Sequence, residues 1–575
     1  MRRANHHVVP IVVVSSLLAA GSLGAAEAGA AGYRPIDGYG ANPAHPSWGS
    51  VGVALRRESG PYYADGVSAP SGASRPNPRT ISNSVFAQPG PVSNPRRTDF
   101  LWTWGQFLDH DFSLTEGNQE SMPVAVPAGD PVFDPDSTGL AAIPFRRAFY
   151  DHSTGTDSSN PRLQVNEITG YIDGSMIYGS DPARAAWLRT GLGGRLKVTP
   201  MPGGDLLPYN DGTVPNAGSP EQPDLSTSLF VAGDIRANEQ PTLCVMHTLF
   251  VREHNYQAAR IAALRGLDAV ADDEEIYQQA RRVVVAEVQA ITYREFLPAL
   301  VGPDALPEYA GFDAAVDPGV GATFSTAAYR LGHTLLSPVL QRLEDDGSPV
   351  PEGPLPLRDA FFGSTPGQLE TYGLEPFLRG LATQHTQELD RFVVDDVRNF
   401  LFETPVPGMR GLDLISLNLQ RGRDMGLATF SRVREDYGLP ALAGFDALTR
   451  DQGLRDSLST LYGDTNDVDP FVGFLVEDDV PGHIVGPTLL RVLVEQFRRS
   501  RDGDPFWFER TLDNSERRYV ERSTLAAIIA RNTSIPKTRL QPDVFFVEGM
   551  GAGHDGHRHA CPGRGRASRC GNHPG

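Results

Sequence analysis

The chain has 575 residues, of which 40% are hydrophobic and 9% are aromatic. This composition excludes a largely disordered protein and is sufficient for a large core that encloses a cofactor. The formal net charge of −19 excludes a nucleic-acid backbone as the main partner, because phosphate binding requires a dense surface of Lys and Arg. With only 3 cysteines, the chain is not held together by a disulfide framework.

The N-terminus has the features of a signal peptide. Arginines stand at positions 2 and 3, an apolar run follows over residues 8–23, and an Ala-x-Ala pattern occupies residues 26–28. This order predicts a signal peptide over residues 1–28 and an exported protein, either secreted or periplasmic. No later run has the apolar length that predicts a membrane span.

Composition divides the remaining chain into three parts. Residues 29–94 are rich in Gly, Pro and Ser, which predicts an extended arm wrapped over a body. Residues 95–548 carry helical spacing of apolar residues with little strand-like alternation, which predicts one large, mainly α domain with long irregular connections and little β. The Gly-, His- and Arg-rich tail over residues 549–575 is predicted to be disordered.

Two helices of this domain have clear N-terminal features. Pro241 suits the first turn of a helix, where its missing N–H leaves no hydrogen bond unmade. The acidic residues 272–275 suit the positive end of the next helix. His247 and His254 lie on the first of these helices and are predicted to be structural.

The first chemical motif lies within residues 104–111. At about 100° per residue, Gln106, Asp109 and His110 share a polar face. The opposite face is apolar and consists of Leu101, Trp104, Leu108 and Phe112. An ordinary surface helix carries Lys and Glu on its polar face, and a lone His is more often structural than catalytic. The motif therefore requires partners elsewhere in the chain.

A second motif offers oxygen ligands. Asp111 lies next to the apolar face, where a carboxylate is costly unless it is paired or bound to metal. The stretch 169–175 offers oxygen donors at alternate positions, from the side chains of Thr169, Asp173 and Ser175 and the carbonyl of Tyr171. Such donors suit Ca²⁺, although Asp-Gly-Ser is also common in turns.

A third motif covers residues 233–241, where Arg236 stands three residues before Glu239 and just before a predicted helix. A cation and a carboxylate at this spacing have two explanations: they are active-site residues, or they form an ordinary ion pair on a helix surface. The two alternatives remain open on this segment alone.

The fourth and fifth motifs contain a histidine and an Arg/Asp-rich helix. In residues 329–335, Gly332 would let a large planar ligand approach His333. Residues 417–424 contain Asn418 and Arg421. Taken alone, the histidine is equally consistent with a core position, and the second segment with a structural Arg/Asp network.

Together, in this order, the five motifs resemble the animal-type haem peroxidases of the peroxidase-cyclooxygenase superfamily, and most closely peroxidasin-like members. The resemblance covers roughly residues 75–548, including the segments 396–402 and 501–507. It implies a mainly α haem-peroxidase domain that uses hydrogen peroxide to oxidise halides, thiocyanate or phenols. The implied cofactors are haem b and Ca²⁺.

The resemblance also implies a role for each motif residue. His333 is the expected proximal ligand of the iron, with Asn418 accepting its other ring N–H. His110 is expected to transfer the peroxide proton, Arg236 to stabilise developing charge, and Gln106 to orient water or a halide. Arg330 and Arg421 are expected to pair with haem propionates or to hold the proximal side.

Two further implications concern the haem periphery and the cation. Asp109 and Glu239 match positions that form ester links to the haem in this family. Gln240 stands where one subgroup has a methionine that makes a third link, so bromide, iodide or thiocyanate is expected rather than chloride. The expected calcium ligands are Asp111, Thr169, Tyr171, Asp173 and Ser175.

Two alternatives remain beside the peroxidase. A fatty-acid dioxygenase of the same superfamily requires a tyrosine three residues before the proximal histidine, where this chain has Arg330. A catalytically silent secreted haem or adhesion protein would be expected to lack the distal pair, whereas His110 and Arg236 are both present. The physiological reductant and the oligomeric state do not follow from the sequence.

Overall fold

The computed structural model describes residues 32–218, 224–402 and 411–549. The predicted signal peptide and all of the predicted tail after Gly549 lie outside the described residues. Within the described ranges helices dominate, and strands pair only in four two-stranded antiparallel sheets. The predicted mainly α fold with little β is therefore confirmed. None of the helices in these ranges is long and apolar enough to cross a membrane.

The α-helices α1 to α18 are, in chain order, Pro78–Ile81, Phe100–Phe112, Ser175–Tyr178, Pro182–Leu188, Pro241–Arg265, Asp273–Ile291, Leu297–Val301, Thr365–Tyr372, Glu375–Thr383, Asp395–Arg398, Leu414–Asp424, Phe430–Asp436, Gln452–Tyr462, Pro470–Val476, Pro487–Asp502, Phe508–Thr511, Asn514–Arg522 and Leu525–Asn532. The strands β1 to β8 are Ser93–Thr98, Gly117–Ser121, Val124–Ala125, Ala142–Ile143, Arg146–Ala148, Val339–Leu340, Leu355–Pro356 and His385–Gln387. A 3₁₀ segment, Tyr329–Thr334, precedes β6.

The two longest helices begin where the sequence predicts. Helix α5 starts at Pro241, and the side chain of Gln240 accepts a hydrogen bond from the backbone N–H of Thr242. Helix α6 starts at Asp273, and its first turn is acidic, which complements the helix dipole. The two helices pack against each other, and α2 packs against α5.

Helix α2 lies in the main core. The predicted apolar face is buried, since Leu101, Trp104, Leu108 and Phe112 are at most 3% exposed. Most of the opposite face is buried as well, because Asp109 is 8% and His110 is 2% exposed, while Gln106 is half-buried. The ionisable groups of such a helix require partners from neighbouring segments.

The chain before α1 lies on the body through many separate contacts. Leu55 belongs to the main core, and its N–H donates to the carbonyl of Gln164. Arg34 forms an ion pair with Asp504. These contacts hold this part of the chain against the body, and the predicted arm over residues 29–94 stays a prediction.

Candidate active site

A cavity of about 290 Å³ lies among α2, the segment before α5, the 3₁₀ segment and the start of α11. Its wall is mainly apolar, with contributions from Trp102, Phe296 and Leu417. The polar residues on the wall come from three motifs that are remote in the sequence. They are Gln106, Asp109, His110, Arg236, Glu239, Gln240, Arg330 and His333.

His110 is held in its neutral form. Burial lowers the pKa of the imidazole well below its ordinary value, and the nearby charge of Arg236 lowers it further. The Nδ1 atom lies 3.5 Å from Oδ1 of Asp234, without forming a hydrogen bond. A neutral imidazole is able to accept a proton, which is what a general base requires.

Arg236 is fixed in orientation by Asp234. Its Nε and Nη2 atoms donate to the two carboxylate oxygens at 2.8 Å each, and Nη2 also donates to the carbonyl of Ser113 at 3.0 Å. Burial alone would raise the pKa of Asp234, but the charge and hydrogen bonds of Arg236 keep it well below the ordinary value. Asp234 was not among the predicted site residues, although it stands in the same motif as Arg236.

Asp109 and Glu239 bring two carboxyl groups to the cavity. Burial raises the pKa of both, to about 7 for Glu239. Asp109 Oδ2 lies 3.4 Å from Arg236 and 4.0 Å from Arg330, whereas its Oδ1 has no hydrogen-bond partner in the described chain. Glu239 Oε1 accepts a hydrogen bond of 3.2 Å from the amide of Gln106.

His333 lies on the 3₁₀ segment, and burial lowers the pKa of its ring to about 3. The side-chain amide nitrogen of Asn418 faces Nδ1 at 2.8 Å. The predicted role requires the amide to turn over, so that its oxygen accepts the Nδ1 proton and leaves Nε2 free for a metal. A Cβ added to Gly332 would meet no described atom within 4 Å, so the wall beside His333 is open.

Arg330 and Arg421 differ in their surroundings. Arg330 lines the cavity, and its Nε donates to the carbonyl of Ser325. Arg421 does not line the cavity. Its Nη1 donates to Asp424 at 3.0 Å, and its guanidinium lies 4.3 Å from the ring centroid of Phe145.

The five predicted calcium ligands lie beside α2. Ser175 Oγ donates to the carbonyl of Asp111 at 2.6 Å, and Thr169 Oγ1 donates to Asp173 at 3.0 Å. In the described chain, one carboxylate oxygen of Asp111 and one of Asp173 are buried without a hydrogen-bond partner. Burial and the charge of Asp173 raise the pKa of Asp111 to about 8.

Other contacts limit the kind of cation that this cluster can take. Tyr171 uses its hydroxyl to donate to the carbonyl of Trp48, which leaves its own carbonyl as the available donor. Among the described residues, no group of three or more His, Cys, Asp and Glu side chains is arranged to hold a metal ion. A site here would therefore combine two carboxylates with hydroxyl and carbonyl oxygens, a set that suits a hard cation such as Ca²⁺.

The residues around the cavity fit a haem. The wall is mainly apolar, it carries His333 with the amide of Asn418 against its ring, and the open face at Gly332 would admit a flat ring. The buried carboxylate oxygen Oδ1 of Asp109 has no hydrogen-bond partner among the residues that the structure describes, which is costly unless a bound group satisfies it.

Comparison with known proteins identifies the family. Residues 33–545 match the animal haem peroxidase family. Peroxinectin A of Dictyostelium discoideum is 34% identical over 521 residues, which cover 89% of this chain and 95% of that protein. The chain belongs to the animal haem peroxidase family, and the predicted resemblance is confirmed.

Other relatives are longer proteins. Thyroid peroxidase of Canis lupus familiaris is 36% identical and a peroxidasin homolog of Mus musculus is 34% identical, each over 90% of this chain. The matched region is 59% of the first and 37% of the second, so the chain spans only part of these relatives.

Solved structures agree with this assignment. Peroxidase A from Dictyostelium discoideum has a TM-score of 0.82 and 33% identity, covering 90% of this chain and 100% of that chain. A fatty acid alpha-dioxygenase of Arabidopsis thaliana, with a TM-score of 0.74 and 19% identity, shares the fold alone. The protein is therefore a haem-dependent peroxidase, an oxidoreductase that uses hydrogen peroxide.

Proposed function

We propose that this peroxidase is exported and oxidises bromide, iodide, thiocyanate or phenolic donors, with His110 and Arg236 on the peroxide side of the haem and His333 on the other. The observation that carries the proposal is the cavity that these three residues share. Export rests on the predicted signal peptide over residues 1–28.

The side chains have distinct parts in the reaction. Bound haem supplies the redox-active iron, which His333 would hold through Nε2. The neutral ring of His110 takes a proton from one peroxide oxygen and returns it to the other. Arg236 stabilises the negative charge that develops as the O–O bond breaks, and Gln106 orients water or a halide. Arg330, which lines the cavity, would pair with a haem propionate, whereas Arg421, which lies outside the cavity, would hold the proximal side.

We further propose that Asp109 and Glu239 form ester links to the haem, in which a carboxylate C–O bond replaces a peripheral C–H bond of the haem while hydrogen peroxide takes up the two electrons and is reduced to water. Both carboxyl groups line the cavity, and Asp109 has an oxygen free to form a bond. Gln240 caps α5 and donates to Gln106 at 3.1 Å. Because a glutamine carries no sulfur, a third link of the sulfonium type cannot form at this position. We therefore propose weak chloride oxidation.

The calcium site is proposed at Asp111, Thr169, Tyr171, Asp173 and Ser175. The two unpartnered carboxylate oxygens support it, because a bound cation would satisfy both. Asp111 follows His110 directly in the chain, so the ion would also hold the catalytic imidazole in position.

The decisive experiment replaces the proposed proton carrier. His110→Ala is expected to retain haem but to slow its reaction with hydrogen peroxide by at least about 100-fold, measured by stopped-flow absorption. His152→Ala is the control, since His152 is an exposed histidine outside the cavity. An unchanged rate in His110→Ala would contradict the proposal.

Two assays test the finer parts. Extraction with acidic solvent is expected to leave haem on the chain, and release of all haem would contradict the ester links. Steady-state rates with bromide, iodide, thiocyanate, chloride and a phenol rank the donors, and chloride turnover equal to that of bromide would contradict the proposed specificity.

A further inference from the structure

A second cavity, of about 240 Å³, lies between α6, the segment that begins at Gly32 and the chain around Phe506. It shares no lining residue with the active-site cavity. Three guanidinium groups line it, together with an apolar wall. These residues are Arg34, Arg281, Arg282, Val285, Ala286 and Phe506.

Two of the three arginines already have carboxylate partners. Arg34 Nη2 donates to both carboxylate oxygens of Asp504, at 2.7 and 2.6 Å. Arg282 pairs with Glu516, and its Nη1 donates to the carbonyl of Thr511 at 3.4 Å. The charges of these two side chains are therefore compensated within the protein.

Arg281 has no such partner, although it is only 4% exposed. Its Nη1 donates to the carbonyl of Arg34 at 2.8 Å, and its Nε has no hydrogen-bond partner in the described chain. Across the described ranges, no carboxylate oxygen lies within the 4.0 Å that defines an ion pair with this side chain. A buried guanidinium without a counter-ion is costly, so the cavity lacks one negative charge.

Neighbouring groups do not supply the missing negative charge. The ring of Tyr178 lies 5.6 Å from the Arg281 guanidinium and gives only a weak cation–π contact. Asp173 interacts with Arg281 through space, but it lies beyond ion-pair distance and belongs to the proposed calcium site. A cation bound there would take up the charge of Asp173.

We propose that this second cavity binds a small organic monocarboxylate. Its carboxylate would pair with Arg281, because the guanidinium fork matches the two oxygens and one negative charge is missing. Its apolar part would pack against Val285, Ala286 and Phe506. Phosphate is disfavoured, because Arg34 and Arg282 are already paired with carboxylates and one guanidinium does not compensate a second negative charge.

The test titrates the haem-loaded, full-length protein with sodium benzoate, without peroxide, by isothermal titration calorimetry. The haem absorption band is followed in parallel, because an anion that enters the active-site cavity would change that band. We expect one saturable site per chain and an unchanged haem band. The outcome is independent of which donor the peroxidase oxidises.

Variants separate the parts of the site. Arg281→Gln is expected to weaken benzoate binding at least tenfold, whereas Arg260→Gln, an arginine of α5 outside the cavity, leaves it unchanged. Phe506→Ala is expected to weaken benzoate more than acetate, and it remains informative if Arg281→Gln does not fold, because Phe506 is only half-buried.

Four results would overturn the proposal. They are no saturable binding, equal affinity in Arg281→Gln, phosphate binding as tight as benzoate binding, and benzoate binding accompanied by a full change in the haem band. The last would assign the anion to the active-site cavity.

Discussion

Asp234 and Arg236 form a two-point ion pair in the candidate active site, with Nε and Nη2 of Arg236 each 2.8 Å from a carboxylate oxygen of Asp234. The pair fixes the plane of the guanidinium, and the same carboxylate lies 3.5 Å from His110. Asp234 is 3% exposed, so little water competes for these contacts. One residue that does not line the cavity thus orients Arg236 and also places a carboxylate beside His110.

Asp234→Asn tests this positioning role. The change keeps the size of the side chain but removes the charge and one acceptor, so Arg236 loses its fixed plane. We expect haem binding to remain and the reaction with peroxide to slow by at least about tenfold, measured by stopped-flow absorption. Asp136→Asn, at an exposed aspartate, serves as the control. A normal rate in Asp234→Asn would remove the residue from the mechanism.

The contact between Asn418 and His333 gives a second prediction, because a hydrogen bond donated by the Nδ1–H of His333 tunes the electron density that the imidazole gives to a metal. Asn418→Leu removes the acceptor, so the haem midpoint potential is expected to rise. Asn418→Asp supplies a stronger acceptor, so the potential is expected to fall. Spectroelectrochemical titration measures both.

Gln420→Leu is the matched control for these variants. Gln420 lies on the same helix and is buried, but it donates to the carbonyl of Met122 instead of contacting His333. The haem midpoint potential of Gln420→Leu should stay at the wild-type value. Shifts of the same sign in Asn418→Leu and Asn418→Asp would show that the contact does not act through the histidine.

Much of the site was predictable because its chemistry lies in short motifs. The polar face of α2 and the Arg–x–x–Glu spacing before α5 indicate the residues that the structure brings to one cavity. The predicted helix starts at Pro241 and near residue 272 are confirmed. They were predictable because the features that begin a helix lie within a few residues of its first turn.

Other features depend on contacts across the chain that no local pattern encodes. A Cβ on Gly233 would come within 2.2 Å of the carbonyl oxygen of Ser175, so the motif of Arg236 packs directly on the proposed calcium segment. The role of Asp234 depends on the same packing, because its distance to His110 is set by how α2 meets that loop. Arg421 pairs with Asp424 on its own helix, but its guanidinium also lies against Phe145, which is remote in the chain, and it does not line the cavity.

The third prediction concerns the proposed calcium ion. Chelation is expected to lower the melting temperature of the haem-loaded protein, and excess Ca²⁺ is expected to restore it. The reason is that an ion that binds only the folded state stabilises that state by mass action, by about 2.7 kcal/mol when its concentration is 100 times Kd. Asp173→Asn removes one of the two carboxylates and should abolish the effect of the chelator. Differential scanning calorimetry measures both.

Asp181→Asn provides the control for that experiment. Asp181 caps α4 by accepting from the N–H groups of Ala183 and Arg184, and asparagine caps helices equally well, so this change removes a carboxylate charge without touching the proposed ion. The chelator effect should persist in full. A chelator effect that survives in Asp173→Asn would contradict the proposed site.

The fourth prediction concerns stability at acidic pH. His254 is fully buried between the hydroxyl of Tyr178 and the carbonyl of Gly194, at 3.0 and 2.8 Å. Burial lowers its pKa to about 4. A histidine in the unfolded chain has a pKa of about 6.5. Below that pH the unfolded chain therefore binds a proton that the folded chain does not bind.

The free energy of unfolding should therefore fall as the pH drops from about 6.5 towards about 4, and His254 should account for about 3 kcal/mol of that loss. His254→Gln keeps a side chain able to bond both neighbours but does not titrate. Denaturant unfolding of the haem-loaded protein at several pH values is expected to give a shallower acid slope for this variant, while His45→Gln, at an exposed histidine, keeps the wild-type slope. Equal acid slopes in the wild type and His254→Gln would contradict the prediction. They would mean that the folded protein accommodates a charged His254, since this residue affects stability at acidic pH only if folding lowers its pKa.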